Sequence, residues 1–193
     1  VYQLSDLLSE VDRSVVFDDN KIYQLLSARR RSGGLVLREE KRGSDISVKN
    51  MNEVKAGDFV LSKMQVLHGG WAMVKDTNQG CHVSNMYMIL TSDEKLLHMP
   101  YFDYLTRTKW MRHQAYLSSY GVHIEKMTFV PDWFMKVKIS LPDIHKQKLV
   151  CAYLHLLEQE IVQVRQQLDF QSQQKRGLLQ QLLTGNLRVK EAA

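Results

Sequence analysis

Cysteine is scarce: Cys81 and Cys151 are the only two in 193 residues. So few thiols make no disulfide framework and suit a reducing compartment, so both read as buried apolar side chains. No Cys/His spacing suits zinc, and the seven histidines lie scattered. No apolar run approaches the roughly 18 residues that a membrane span needs. The N-terminus, which opens at Val1, has no signal-peptide pattern. Neither a metal nor a membrane is expected, and a cytoplasmic setting fits.

Charge of one sign is also limited. The net charge is +5. Residues 1–144 carry 19 Lys+Arg against 17 Asp+Glu, and residues 145–193 carry 7 against 4. Total charge therefore does not establish a nucleic-acid partner, but its distribution is suggestive. Residues 29–63 hold nine bases, among them Arg29-Arg30-Arg31. Residues 106–114 hold Arg107, Lys109, Arg112 and His113 with no acid between them.

Catalytic signatures are missing as well. There is no Asn/Asp-Pro-Pro-Tyr/Phe block for amino-methylation, no Gly-rich loop for S-adenosylmethionine and no Walker A sequence. No Ser-His-Asp or Cys-His arrangement stands out, so no catalytic residue and no cofactor is assigned. Glu39-Glu40-Lys41 has the Glu-x-Lys spacing of metal-dependent nucleases, where a carboxylate holds Mg²⁺ and a Lys steadies the attacking water. An upstream Asp to complete that set is not identifiable.

What the chain does have is a long amphipathic helix near its C-terminus. Val150, Leu154, Leu157, Ile161, Val164, Leu168, Gln171, Lys175, Leu178 and Leu182 recur in alternating steps of four and three. That is a heptad seam with two polar positions, Gln171 and Lys175. Polar seam residues help fix register and partner number; an apolar seam that ends near Leu168 and resumes at Leu178 is the competing reading. Pro142 stops the preceding segment, Asp143 can cap the helix, and Gly185 can close it. The helix would run about 60 Å at 1.5 Å per residue. Gly177 lies inside it, which suits either close approach of another backbone or a tolerated defect near a fraying end. A stripe this long needs a second helix, and the chain has only one of its kind.

The preceding residues read as mixed α and β. Short β-rich runs are expected at Leu35–Leu37, Asp58–Leu61, Met64–Leu67 and His82–Leu90, punctuated by glycines. Phe134–Leu141 reads as the clearest strand, with Met135, Val137, Ile139 and Leu141 on one face and Lys136, Lys138 and Ser140 on the other. Tyr101–Ser119 reads as one or two helices that turn Phe102, Leu105 and Trp110 inward and leave Arg107, Lys109, Arg112 and Gln114 more exposed. Trp71 and Tyr87 are expected in the core; Trp133 is undecided. The fold class is thus α+β: a mixed α/β domain over 1–142, a long coiled-coil helix over 143–185 and a tail over 186–193.

The chain resembles the specificity subunit of type I restriction–modification systems. The resemblance rests first on Leu141-Pro142 and Gln147, which open a long helix closing in Lys175-Arg176-Gly177-Leu178-Leu179-Gln180-Gln181-Leu182-Leu183-Thr184-Gly185. It rests next on Ser62-Lys63-Met64-Gln65-Val66-Leu67-His68-Gly69-Gly70 with Val83-Ser84-Asn85-Met86-Tyr87, which is similar to the central block of a target recognition domain. Tyr101-Phe102-Asp103-Tyr104-Leu105 and Ser118-Ser119-Tyr120-Gly121-Val122 complete it. Family members usually carry two recognition domains and two conserved helices in one chain, whereas this chain has one of each. It therefore resembles a half subunit, either a natural one or one cut from a longer chain.

The resemblance implies a non-catalytic subunit that binds double-stranded DNA and positions a modification (methyltransferase) subunit and, in the full complex, a restriction subunit. The family's helices pair antiparallel. A half subunit would complete that pair as a homodimer through Val150, Leu154, Leu157, Ile161, Val164, Leu168, Leu178 and Leu182. Such a dimer would read two inverted half-sites at a fixed spacing. The flanks Gln163, Arg165, Gln167 and Gln174 could dock modification subunits, or form a solvated face.

Base reading needs donors and acceptors in the major groove, Arg or Lys for guanine and Asn or Gln for adenine. Lys63, Gln65, His68, Arg112, His113 and Gln114 are the candidates for it. Arg29, Arg30, Arg31, Arg107 and Lys109 suit phosphate. A solvated surface charge is the competing reading for each. Two other functions remain open: a free-standing dimeric DNA-binding regulator, and a Mg²⁺-dependent nuclease that would lose cleavage on Glu39→Ala.

Overall fold

The computed structural model describes residues 1–188. The chain opens with β1 (Tyr2–Gln3), β2 (Leu8–Glu10), β3 (Ile22–Ala28), β4 (Leu35–Arg42) and β5 (Met51–Glu53). It continues through β6 (Phe59–Ser62), β7 (Trp71–Met73), β8 (His82–Ser84) and β9 (Tyr87–Ser92). The helical part begins with α1 (Met99–Thr106) and α2 (Lys109–Leu117). Then follow β10 (Ser119–Tyr120), β11 (Thr128–Phe129), α3 (Pro131–Met135), β12 (Lys138–Ile139) and α4 (Ile144–Leu183). The expected α+β class, with a long C-terminal helix, is what the structure has.

Two four-stranded sheets organise the first unit, in the orders β2-β9-β6-β7 and β4-β3-β8-β5. Pairing is antiparallel except at Leu25↔His82, where β3 meets β8 in parallel. In β6 and β9, side chains of both faces are buried, which explains their unbroken apolar sequence. Phe59, Leu61, Met88 and Leu90 join Trp71, Phe102, Met111, Ala115 and Phe134 in one core. The alternate residues Val60 and Ile89 join Leu26, Val54, Val74 and Val83 in a second. Sheet β2-β9-β6-β7 is thus the shared wall between a helical layer and the other sheet. Trp71 is fully buried, as expected, and Tyr87 packs partly buried against the second core.

The structure departs from four expectations. Phe134–Leu141 is not one strand. Pro131 opens α3 as its first residue, and only Lys138–Ile139 pairs, with β1. A fixed proline φ favours a helical first turn, while the alternation downstream still sets burial, with Ile139 inward and Lys138 outward. Met64–Leu67 is not a strand either: Val66–His68 forms a 3₁₀ turn that ends at Gly69, with φ 69°. Trp110 is not inward but 44% exposed. On α2 the buried stripe runs Met111 and Ala115, one residue off Trp110 and so rotated by about 100°. The run His82–Leu90 divides at Asn85-Met86, and its halves enter different sheets.

The chain divides into two compact units, Val1–Cys151 and the helix from Ala152 onward. The second is the greater part of α4, which is 40 residues long. Asp143 Oδ1 accepts the Lys146 amide at 2.9 Å, the geometry of an N-cap, and Gly185 at φ 75° follows the last turn. Residues 189–193 of the expected tail lie outside the described residues.

Candidate nucleic-acid interface

The basic run Arg29-Arg30-Arg31 forms the tip of the β3–β4 hairpin. Arg31 and Ser32 both take left-handed backbone, φ 61° and 53°, a conformation that L side chains enter at a cost. The neighbouring Gln65–Gly70 segment holds them there. The Arg31 amide donates to the His68 carbonyl at 2.6 Å and the Ser32 amide to the Gly69 carbonyl at 2.9 Å. Buried Trp71 adds an indole N–H to Ser32 Oγ at 3.2 Å.

Glycine is required in that segment for two different reasons. Gly69 needs its positive φ. At Gly70 a Cβ would come within 2.6 Å of Gln65 Cβ and 2.9 Å of the Gln65 carbonyl. The tight turn fixes Gln65, whose Oε1 accepts from Arg30 Nε at 2.7 Å. The loop between β10 and β11 brings Glu125 to the same place. Glu125 Oε2 lies 3.4 Å from Arg30 Nη2 and 3.4 Å from His68 Nε2. Helix α2 packs against the Val66–His68 turn. It carries exposed Lys109 and His113 and half-buried Arg112 and Gln114; the His113 ring stacks near Tyr116, 6.3 Å away. Thr108 caps it, accepting the Met111 amide at 3.2 Å.

Arg30, Gln65 and His68 therefore share one cluster, with α2 beside it. Other candidates are engaged elsewhere. Lys63 Nζ lies 3.8 Å from Glu10. Arg107 Nη2 sits 2.5 Å from Asp103, with its guanidinium 4.6 Å from the Tyr104 ring centre. Asp103 also accepts the Met73 amide at 2.9 Å, so Arg107 helps tie α1 to β7. Arg29 is exposed at the hairpin.

Two residues here carry no signal in the sequence. Glu125 sits 95 positions from Arg30, and no spacing rule joins them. Ser32 reads as an ordinary turn residue until Trp71 is seen above it.

The Glu-x-Lys triplet is tied up in β4. Its Glu39 carboxyl is held below the usual carboxylate range by hydrogen bonds from Lys41 and then Arg38. Among the described residues, no three His, Cys, Asp or Glu side chains gather where they could hold a metal ion.

Along the apolar seam of α4 in the single chain, Leu154 is half-buried and the other apolar side chains are exposed, from 37% at Leu157 to 61% at Leu168. Among the described residues, nothing beyond the adjoining helix backbone lies within 4 Å of where a Gly177 Cβ would be. No helix among the described residues is long and apolar enough to cross a membrane.

No family model matches the chain, and no curated protein does. Solved structures do. The HsdS subunit from Thermoanaerobacter tengcongensis matches with a TM-score of 0.73 at 15% identity, over 100% of this chain and 50% of that one. A chain from a structural study of complex assembly and conformational transition of the type I R-M system matches with a TM-score of 0.68 at 16% identity, with the same coverage. The chain spans about half the length of both. Its fold is that of one half of an HsdS subunit, a mixed α/β unit followed by one long helix.

Proposed function

We propose that this chain is the DNA-reading half of a type I restriction–modification specificity subunit, with no catalysis of its own. The observation that carries the reading is the match of the entire chain to half of an HsdS subunit. Two features of the chain support it independently. Arg30, Gln65 and His68 gather at a constrained hairpin tip, beside a helix bearing Lys109, Arg112, His113 and Gln114. The heptad seam of α4 presents its apolar side chains to solvent, which a second helix would cover.

The unit over Val1–Cys151 binds one half of a bipartite site in double-stranded DNA. Two copies pair through antiparallel α4 helices by way of Val150, Leu154, Leu157, Ile161, Val164, Leu168, Leu178 and Leu182. The helix pair then sets the spacer between inverted half-sites. The assembled dimer positions methyltransferase subunits, and a restriction subunit joins in the full complex. Gln163, Arg165, Gln167 and Gln174 flank the seam and are the proposed docking face.

Selection from a pool of randomised duplex DNA tests this reading, with and without the modification subunit of the same system. The expected result is enrichment of a split, inverted site that is methylated only when both proteins are present. Binding without sequence preference, or methylation indifferent to this chain, would refute it.

A further inference from the structure

Three segments distant in sequence meet at Arg30. The hairpin tip supplies Arg30 itself, the glycine-closed turn supplies Gln65 and His68, and the β10–β11 loop supplies Glu125. Gln65 Oε1 takes Arg30 Nε at 2.7 Å, and Glu125 Oε2 takes Nη2 at 3.4 Å. The guanidinium is thus gripped from two sides, yet its side chain remains 52% exposed and that of Glu125 51% exposed.

This arrangement is wrong for a phosphate contact. An aimed guanidinium can also hold a phosphate through its planar fork, but a carboxylate beside the arginine repels the phosphate. Base reading turns that carboxylate to use. A guanidinium donates to guanine N7 and O6 only when its planar fork is aimed, and the paired cytosine offers an N4 amino group that needs an acceptor. An aimed guanidinium next to a carboxylate complements the major-groove edge of a G·C pair: two acceptors, then a donor.

We infer that Arg30 and Glu125 together read one G·C base pair, Arg30 donating to guanine and Glu125 accepting from the cytosine amino group. Gln65 and His68 are positioning residues, holding Arg30 and Glu125 respectively. The inference rests on the DNA-recognition reading above and deepens it. It moves Arg30 from phosphate to base, and makes Glu125 a specificity residue where a plain counter-ion would only weaken binding.

The test uses the full chain as wild type, Glu125→Gln and Arg30→Lys. The site enriched by wild type from the randomised pool is resynthesised with each base pair changed in turn, and binding is read by fluorescence anisotropy at several salt concentrations. Circular dichroism checks that the variants fold. Glu125→Gln is expected to lose roughly tenfold discrimination at a single G·C pair, with preferences elsewhere unchanged. Arg30→Lys is expected to relax the same pair. Uniformly tighter binding by Glu125→Gln with unaltered base preference would overturn the inference and leave Glu125 an electrostatic plug. Relaxation of two different pairs, or no change, would overturn it too. A wild type that enriches no sequence at all would instead fail the DNA-recognition reading, and the pairing with it.

Discussion

Gln147 Oε1 accepts the backbone N–H of His98 at 3.0 Å from the first turn of α4, with the glutamine fully buried. Its Nε2 donates to the carbonyls of Leu96 and Pro142, both at 2.9 Å. One amide thus satisfies three backbone groups and locks the segment before α1 to the start of α4. This is the physical content of the Leu141-Pro142…Gln147 pattern.

Gln147→Leu keeps the volume and strands all three groups. Leaving a buried polar group unpaired costs about 1–3 kcal/mol, and partial rehydration limits the sum, so the expected loss is about 3 kcal/mol. Gln147→Glu should be worse at neutral pH, since it sets an oxygen against two carbonyl oxygens, and acid should partly rescue it. Urea unfolding of the three proteins decides this; a Leu variant as stable as wild type would show that the bonds contribute nothing net.

Arg13 and Asp58 form a second long-range tie, at 2.5 and 3.0 Å. Asp58 is 3% exposed and also accepts the Lys55 amide at 2.7 Å. Hydrogen bonding to Asp58 raises the Arg13 pKa above its ordinary value, so the guanidinium stays charged. Asp58→Ala leaves an unmatched guanidinium and is expected to cost about 3 kcal/mol. Adding Arg13→Met should recover part of that loss, because no uncompensated charge remains. Thermal melting of the single and double variants checks both statements.

How much of this was legible in the sequence depends on range. The arm was legible almost residue by residue, because its seam, Asp143 cap and Gly185 end are local signals with fixed spacing. The β-rich run expected at Asp58–Leu61 was legible too, as the strand Phe59–Ser62. The errors fell where a local signal had two outcomes. Alternation at 135–141 suited a strand, but Pro131 started a helical turn. The apolar residues of Met64–Leu67 suited a strand, but Gly69 and Gly70 closed the chain into a turn. At the candidate site the sequence shows basic runs but not their partnerships: Arg30 with Gln65 and Glu125 is a product of tertiary folding.

His82 should give the stability curve an acid limb. It is packed among Phe17 and Tyr23, and its Nδ1 has no hydrogen-bond partner among the described residues. Burial pushes its pKa below 6.5, with Glu53 opposing the shift. The unfolded chain therefore takes up a proton near pH 6.5 that the folded chain refuses, and stability falls as pH drops below that value. His82→Leu is expected to flatten this limb, leaving the share of His98, which burial also depresses. Urea unfolding near neutral pH and at about pH 5 measures the difference; an equal slope in wild type and variant would contradict it.

The exposed seam predicts the behaviour of α4 in solution. Leu157 and Ile161 are neighbours on it, four residues apart, 37% and 50% exposed. Under the proposed pairing, replacing both by Lys removes four apolar side chains from the paired helices, two from each copy. At roughly 1.5–3 kcal/mol per buried side chain, association should weaken on the order of 10⁴-fold or more. Light scattering at several concentrations should give wild type near twice 22.5 kDa and the variant near 22.5 kDa. The substitutions lie beyond Cys151, in the second compact unit, so the melting of the first unit should not change. A monomeric wild type would mean that two copies of this chain do not pair through α4, and the partner helix of the seam would have to come from another chain segment.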